Sequence, residues 1–167
     1  LFPNPHSNDK AEFFAEKMPI LISKDDRAIC QLESSAALLA LESWAPIISN
    51  KTVVLFIDNE SAQALLQKGY SSRPPLAAVC NRFWDLCARL AINVWFERVS
   101  SSDNIADDPS RGDLVSMRHL QAQRKRVHID LELVELTRET IRENERSKSL
   151  NPNNPNFSPN TEIDHNS

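Results

Sequence analysis

Val53 to Gly69, "VVLFIDNESAQALLQKG", is the stretch from which the rest of the chain is read. Five apolar residues run straight into Asp58, and a helix-like pattern follows at once and stops at Gly69. A continuous β-branched and apolar run predicts a strand buried on both faces. A glycine closing the helical pattern behind it is an ordinary helix stop. Asp58 therefore sits where strand passes into helix. It is either the cap of that helix or a side chain at the carboxyl end of a strand, where open α/β sheets place their sites.

Upstream, "LFPNPHSNDK" carries turn formers and reads as a strand end followed by a loop, and "AEFFAEKMPILI" as a strand closed by Pro19. From Gln31, "QLESSAALLALESW" repeats Leu32, Ala36, Leu39 and Ser43 at helical spacing, with Pro46 as the expected end. Downstream, "YSSRPP" is a loop. "LAAVCNRFWDLCARLA" is an amphipathic helix that buries Leu76, Val79, Cys80, Phe83, Trp84, Cys87 and Leu90. "INVWFERV" is the next strand, and "SSSDN" the loop after it. Strand, helix, strand, helix, strand in this order predicts an α/β domain with a partly parallel sheet.

After Gly112 the chain becomes heavily charged and helix-prone, with Glu and Arg at three- and four-residue spacings. A solvated helix over 113–148 is the expectation, with packing on the domain or reach to a neighbouring element as the alternative. The basic "RKR" at Arg124 to Arg126 is too short to define a nuclear signal or a nucleic-acid patch. The Asn- and Pro-rich end, 149–167, reads as a disordered tail. The expected organisation is thus a domain over 1–112, a charged helical extension and a tail.

At 167 residues the chain holds one domain with a real core. Its composition, 41% hydrophobic and 25% charged, is that of a soluble globular protein. No apolar run approaches the roughly 20 residues that a bilayer requires, and no signal segment opens the chain, so no membrane partner and an intracellular place, cytoplasm or nucleus, are expected. Cys30, Cys80 and Cys87 lack C-x-x-C spacing and read as core residues of a reducing compartment. A net charge of −4 argues against a strongly basic nucleic-acid module, but leaves room for a nuclease whose carboxylates work with bound cations.

Two further acids stand out. Glu33 lies at the start of the Ala/Leu helix, where an acid is favoured by the helix dipole. Asp107 lies in "NIADDPSRG", where Pro109 marks a helix's first turn and Asp107 or Asp108 its cap. Each alone has a purely structural explanation.

Together, "QLESSAALLALESW", "VVLFIDNESAQALLQKG" and "INVWFERVSSSDNIADDPSRG" resemble the ribonuclease H domain of retroelement reverse transcriptases, especially those of DIRS-like and related retrotransposons. The likeness covers Ala11 to Gly112, about two thirds of the chain, and rests on the order and spacing of motifs that are weak singly. It implies a ribonuclease H-like mixed sheet with flanking helices. It also implies hydrolysis of the RNA strand of RNA–DNA hybrids with two Mg²⁺ (or Mn²⁺) ions, and a reverse transcriptase domain of the same polyprotein as partner. Glu33, Asp58 and Asp107 match the family's catalytic, metal-holding acids, with Asp108 competing for the last place. Asn59, Ser61, Gln63 and Arg111 would contact the nucleic-acid backbone, although Arg111 also suits an ordinary helix-end role. Mg²⁺ takes oxygen ligands and keeps several waters. Two such ions about 4 Å apart activate a water and stabilise the leaving oxygen, and acids drawn together from separate elements repel one another unless cations fill the site.

Two departures accompany the likeness. The family's cellular members carry a His before the last Asp, where Arg98 stands here, and no His lies between His6 and His119. The family's first strand, with its Asp and a Gly-containing turn, has no counterpart, because both glycines, Gly69 and Gly112, come after the Ala/Leu helix. A chain opening on Leu1 with that strand apparently missing is expected to be an impaired fragment of an active-type domain. The alternative is a non-catalytic domain that binds nucleic acid or spaces its neighbours in a retroelement polyprotein. A DDE transposase or integrase would place its last acid as a Glu on a later helix. A phosphate-transfer fold with a nucleophilic strand-end Asp would want a second Asp where Glu60 stands.

Overall fold

A computed structural model describes residues 10–16, 26–129 and 131–149. Along them run β1 (Glu12–Phe13), α1 (Asp26–Ile48), β2 (Thr52–Ile57), α2 (Glu60–Lys68) and α3 (Pro74–Arg89). They are followed by β3 (Asn93–Arg98), α4 (Asp107–Ser110), α5 (Val115–His119), β4 (Gln123–Arg124) and α6 (Leu131–Ser149). The chain is α/β, and its sheets among the described residues are two parallel pairs, β2 with β3 and β1 with β4. A mixed sheet is not what these residues form. Of the strand expected over "AEFFAEKMPILI", the described part holds Glu12–Phe13; residues 1–9, 17–25, 130 and the tail 150–167 lie outside the described residues.

β2 and β3 run in register from Thr52 opposite Asn93 to Ile57 opposite Arg98. Parallel neighbours need a crossover, and α2 and α3 supply it. Val53, Leu55, Val94 and Phe96 pack on the core from one face, and Ile57 is buried within it. The other face is bare: Val54 is 50%, Phe56 61% and Trp95 62% exposed. The expectation of a strand buried on both faces therefore fails for β2. An unbroken apolar run reads alike whether or not its second face is covered.

The core lies between this sheet and the helices. Leu38 and Leu41 of α1, Leu66 of α2 and Val79, Cys80 and Phe83 of α3 are shut off from water. The Phe83 ring stands 5.4 Å from that of Trp84 and 6.0 Å from that of Phe96. The Trp84 indole Nε1 donates to the Leu66 carbonyl at 2.9 Å, which ties α3 to α2. All three cysteines are free and buried, as expected. Burial raises the pKa of each thiol, that of Cys87 to about 11, so they behave as apolar residues.

α1 begins earlier and ends later than its Ala/Leu pattern predicts. It includes Asp26 and carries Pro46 inside its last turn. Near a C-terminus the proline removes one N–H without ending the helix, and Ser49 still donates to the Ala45 carbonyl at 3.0 Å. Asn50, at φ 57°, turns the chain toward β2; asparagine tolerates this left-handed geometry better than most residues.

Beyond Gly112 the chain returns to the body. β4 pairs with β1, and α6 packs on α1 and α3. The solvated-helix expectation fails here, because Leu133, Val134, Thr137, Thr140 and Asn144 form a buried face on α6. Much of that face is polar, which is why the segment resembled a solvated helix. It meets a polar part of α1, where Gln31, Ser34 and Ser35 are buried. Thr140 Oγ1 donates to Gln31 Oε1 at 3.3 Å, while Gln31 Nε2 and Ser35 Oγ have no partner among the described residues.

Candidate active site

Asp58 follows the last residue of β2, and the local structure leaves its carboxylate unused as a cap. Asn59 takes that role: its backbone is extended and its Oδ1 accepts from the Ala62 amide at 2.9 Å. Gly69, at φ 67°, ends the same helix with its amide on the Leu65 and Leu66 carbonyls. Both ends of α2 are thus satisfied without Asp58. The strand presents it, half-buried, at the end of the sheet.

Glu33 lies on α1, but not in its first turn as the sequence suggested. The helix starts at Asp26, so Glu33 stands two turns inside and gains nothing from the N-terminal dipole. It is half-buried, and its pKa is pushed up to about 7. Burial is the largest cause, followed by the negative charges of Asp58 and then Asp107. The three acids singled out in the sequence therefore share one electrostatic neighbourhood.

Asp107 opens α4, yet neither it nor Asp108 caps that helix. Ala106 holds the cap position with no side-chain bond, and Asn104 Oδ1 accepts from the Ala106 amide at 3.1 Å. Asp107 is half-buried and pairs with Arg111 at 2.8 Å. Asp108 is exposed and accepts from the Ser116 hydroxyl. Asp107 is thus the one of the two whose charge Glu33 feels.

The four residues matched to backbone contact are dispersed. Asn59 is engaged as the cap, Ser61 is exposed beside it on α2, and Gln63 is half-buried one turn further along. Arg111 is spent on Asp107, as its helix-end reading anticipated. Arg98, standing where the cellular enzymes have a His, pairs with Glu60 at 2.9 Å across the end of the sheet.

A hollow beside α4, missed in the sequence, is lined by Ser102, Asp103, Asn104, Asp107, Asp108 and Ser116. Its only sequence signal was the density of polar residues in "SSSDNIADD". Ser100 Oγ donates to Asp103 at 2.6 Å, which shapes the loop.

As oxygen donors, Glu33, Asp58 and Asp107 suit Mg²⁺ or Mn²⁺, and mutual repulsion of the kind Glu33 experiences is relieved by a bound cation. Among the described residues, however, no group of three or more His, Cys, Asp or Glu side chains is gathered closely enough to hold one ion. The acids fit divalent cations in chemistry and charge, and not yet as an assembled ligand set.

No family model, curated protein or solved structure matches the chain. No helix among the described residues is long and apolar enough to cross a membrane.

Proposed function

We propose that the chain is a ribonuclease H-like domain of a retrotransposon, acting on the RNA strand of RNA–DNA hybrids with weak hydrolysis. One observation carries this reading: the proton affinity of Glu33 is raised by burial and then by Asp58 and Asp107, the two other acids that the family pattern selects. A carboxyl group perturbed by burial and by charged neighbours is a mark of functional sites. Here Glu33 comes from a helix interior, and the acids that act on it from a strand end and a short helix.

Glu33, Asp58 and Asp107 would hold the divalent cations, which supply an activated water and neutralise charge on the phosphate. The chain's own residues set up the rest. Asn59 caps α2 and leaves Asp58 free. The α1 interior keeps Glu33 half-buried, and Arg111 balances Asp107 until a cation competes for it. With Arg111 held on Asp107, slow cleavage is the expected outcome.

The ion pair between Arg111 and Asp107 also favours a second reading, a non-catalytic domain that binds nucleic acid, because one of the three acids already has a cationic partner.

An end-labelled RNA–DNA hybrid incubated with the chain and Mg²⁺ or Mn²⁺ tests both. Slow, metal-dependent cleavage of the RNA strand, lost in Asp58→Asn and Glu33→Gln, supports the enzyme. Hybrid binding without cleavage in either metal supports the second reading. If the hybrid is neither bound nor cut, both readings fail.

A further inference from the structure

We infer that Arg118, Arg124, Arg126 and His128 form a track for the sugar–phosphate backbone of a nucleic acid, leading away from the acidic hollow. Between Asp113 and Asp130 the chain carries Arg118, His119, Arg124, Lys125, Arg126 and His128 and no acid, although its net charge is −4. So uneven a distribution concentrates positive charge on this segment.

Structure arranges this run. Exposure alternates from Arg124 to Ile129: Arg124, Arg126 and His128 are exposed, while Lys125, Val127 and Ile129 are half-buried. Alternation of this kind belongs to extended backbone, in which every second side chain shares a face about 6.6 Å from the next. The strip is anchored on its inner side. The Gln123 amide donates to the Ala11 carbonyl at 2.8 Å and the Lys125 amide to that of Phe13 at 2.7 Å. The Lys125 ammonium stands 6.0 Å over the Trp44 ring. Arg124 also donates to the Ala15 carbonyl, at 2.5 Å. A fixed strip with an outward row of cations loses little freedom on binding.

Most of the track is available. Among the described residues no carboxylate pairs with Arg118 or Arg126, whereas Arg82, Arg89, Arg98 and Arg111 all have such partners. Arg124 lies 3.7 Å from the Glu16 carboxylate and keeps half of its side chain exposed. The run also starts in the right place, since Arg118 lies on α5, which packs on α4 and joins it through Ser116 and Asp108. The exposed face from Arg124 to His128 offers no apolar anchor of the kind that dominates protein interfaces, whereas phosphate contacts need only cations and donors. A linear polyanion fits this surface better than an acidic protein does.

The inference rests on the proposed function for the identity of the polymer, an RNA–DNA hybrid; binding is measured apart from cleavage. The full chain is titrated against a fluorescent hybrid in chelator, and the salt dependence of the affinity is recorded. Each lost phosphate contact lowers the slope of log affinity against log salt by about 0.9 for a duplex. Arg118→Gln with Arg126→Gln should lower it by nearly two and weaken binding at least tenfold at about 50 mM salt. Arg89→Gln, the same charge change on α3, should leave both unchanged, as should Arg126→Lys. Unaltered affinity and slope in the double variant, with its melting temperature intact, overturn the track even if the hybrid is cut. Failure of the chain to bind any nucleic acid at that salt overturns it as well. Equal binding of hybrid, duplex DNA and single strands, all weakened in the double variant, upholds the track and counts against hybrid specificity.

Discussion

The proton affinity of Glu33, two turns inside α1, is raised by burial and then by the carboxylate of Asp58, one residue past the end of β2. Helix and strand are consecutive elements that meet again at this pair, and the meeting has measurable consequences.

The first concerns stability and pH. Glu33 titrates near 4.5 when exposed and at about 7 in the fold. Between those values the folded state binds more protons than the unfolded one, so stability falls as pH rises. The contribution is complete below pH 4.5 and lost above about 7, with an upper bound on the order of 3 kcal/mol at 1.36 kcal/mol per pH unit. Urea denaturation across this window should show the slope, and Glu33→Gln should flatten it. A slope unchanged by that substitution contradicts the assignment to Glu33.

Asp58→Asn removes one source of repulsion but not the burial, which is the larger cause. The Glu33 carboxyl resonance should then titrate below 7 and still above 4.5. Mg²⁺ should lower it further in the wild type by favouring the carboxylate, and less so in Asp58→Asn. NMR of side-chain carboxyl carbons separates these cases; a Glu33 titration unmoved by either change means that the acids do not share a site.

Asn59 should be replaceable only by another cap. Asn59→Ala leaves the Ala62 amide unpaired and should cost about 1 kcal/mol. Asn59→Asp keeps the acceptor and suits the helix dipole, so its midpoint in chemical denaturation should stay near that of the wild type. Equal losses in the two variants would mean that the side chain's role is not capping.

The seam between α1 and α6 makes a prediction of the opposite sign. Ser35 Oγ is buried without a hydrogen-bond partner among the described residues, and an unpaired buried hydroxyl costs about 1–3 kcal/mol. Ser35→Ala should raise the melting temperature, where most buried substitutions lower it. A fall would show that Ser35 has a partner, such as a buried water, that the substitution removes.

The stretch from Thr52 to Gly69 was legible because its signals are local: an apolar run, an Asn at a helix start and a Gly at its end. The start of α1 was not. Asp25, Asp26 and Arg27 carry no helical pattern, and the first turns are held by burying Ala28 and Cys30 in the packed protein. The pairing of Glu12 and Phe13 with Gln123 and Arg124 joins short strands more than a hundred residues apart, too short for periodicity to register. α6 misled for a chemical reason, since Thr137, Thr140 and Asn144 are polar yet buried. At the site, residue types and order could be read from the chain. The depth of Glu33 within its helix and the grip of Arg111 on Asp107 depend on the fold.

β2 has one more consequence. From Thr52 to Ile57 it contains no charge, proline or glycine, its neighbour among the described residues is β3 alone, and Val54 and Phe56 face outward. Natural edge strands are usually interrupted by lysine, proline or a bulge, and six uninterrupted residues of this kind are enough to stack into a cross-β spine. The strand that delivers Asp58 therefore also has the makings of a fibril seed. Work with the isolated protein will be limited by concentration and time in solution before it is limited by heat.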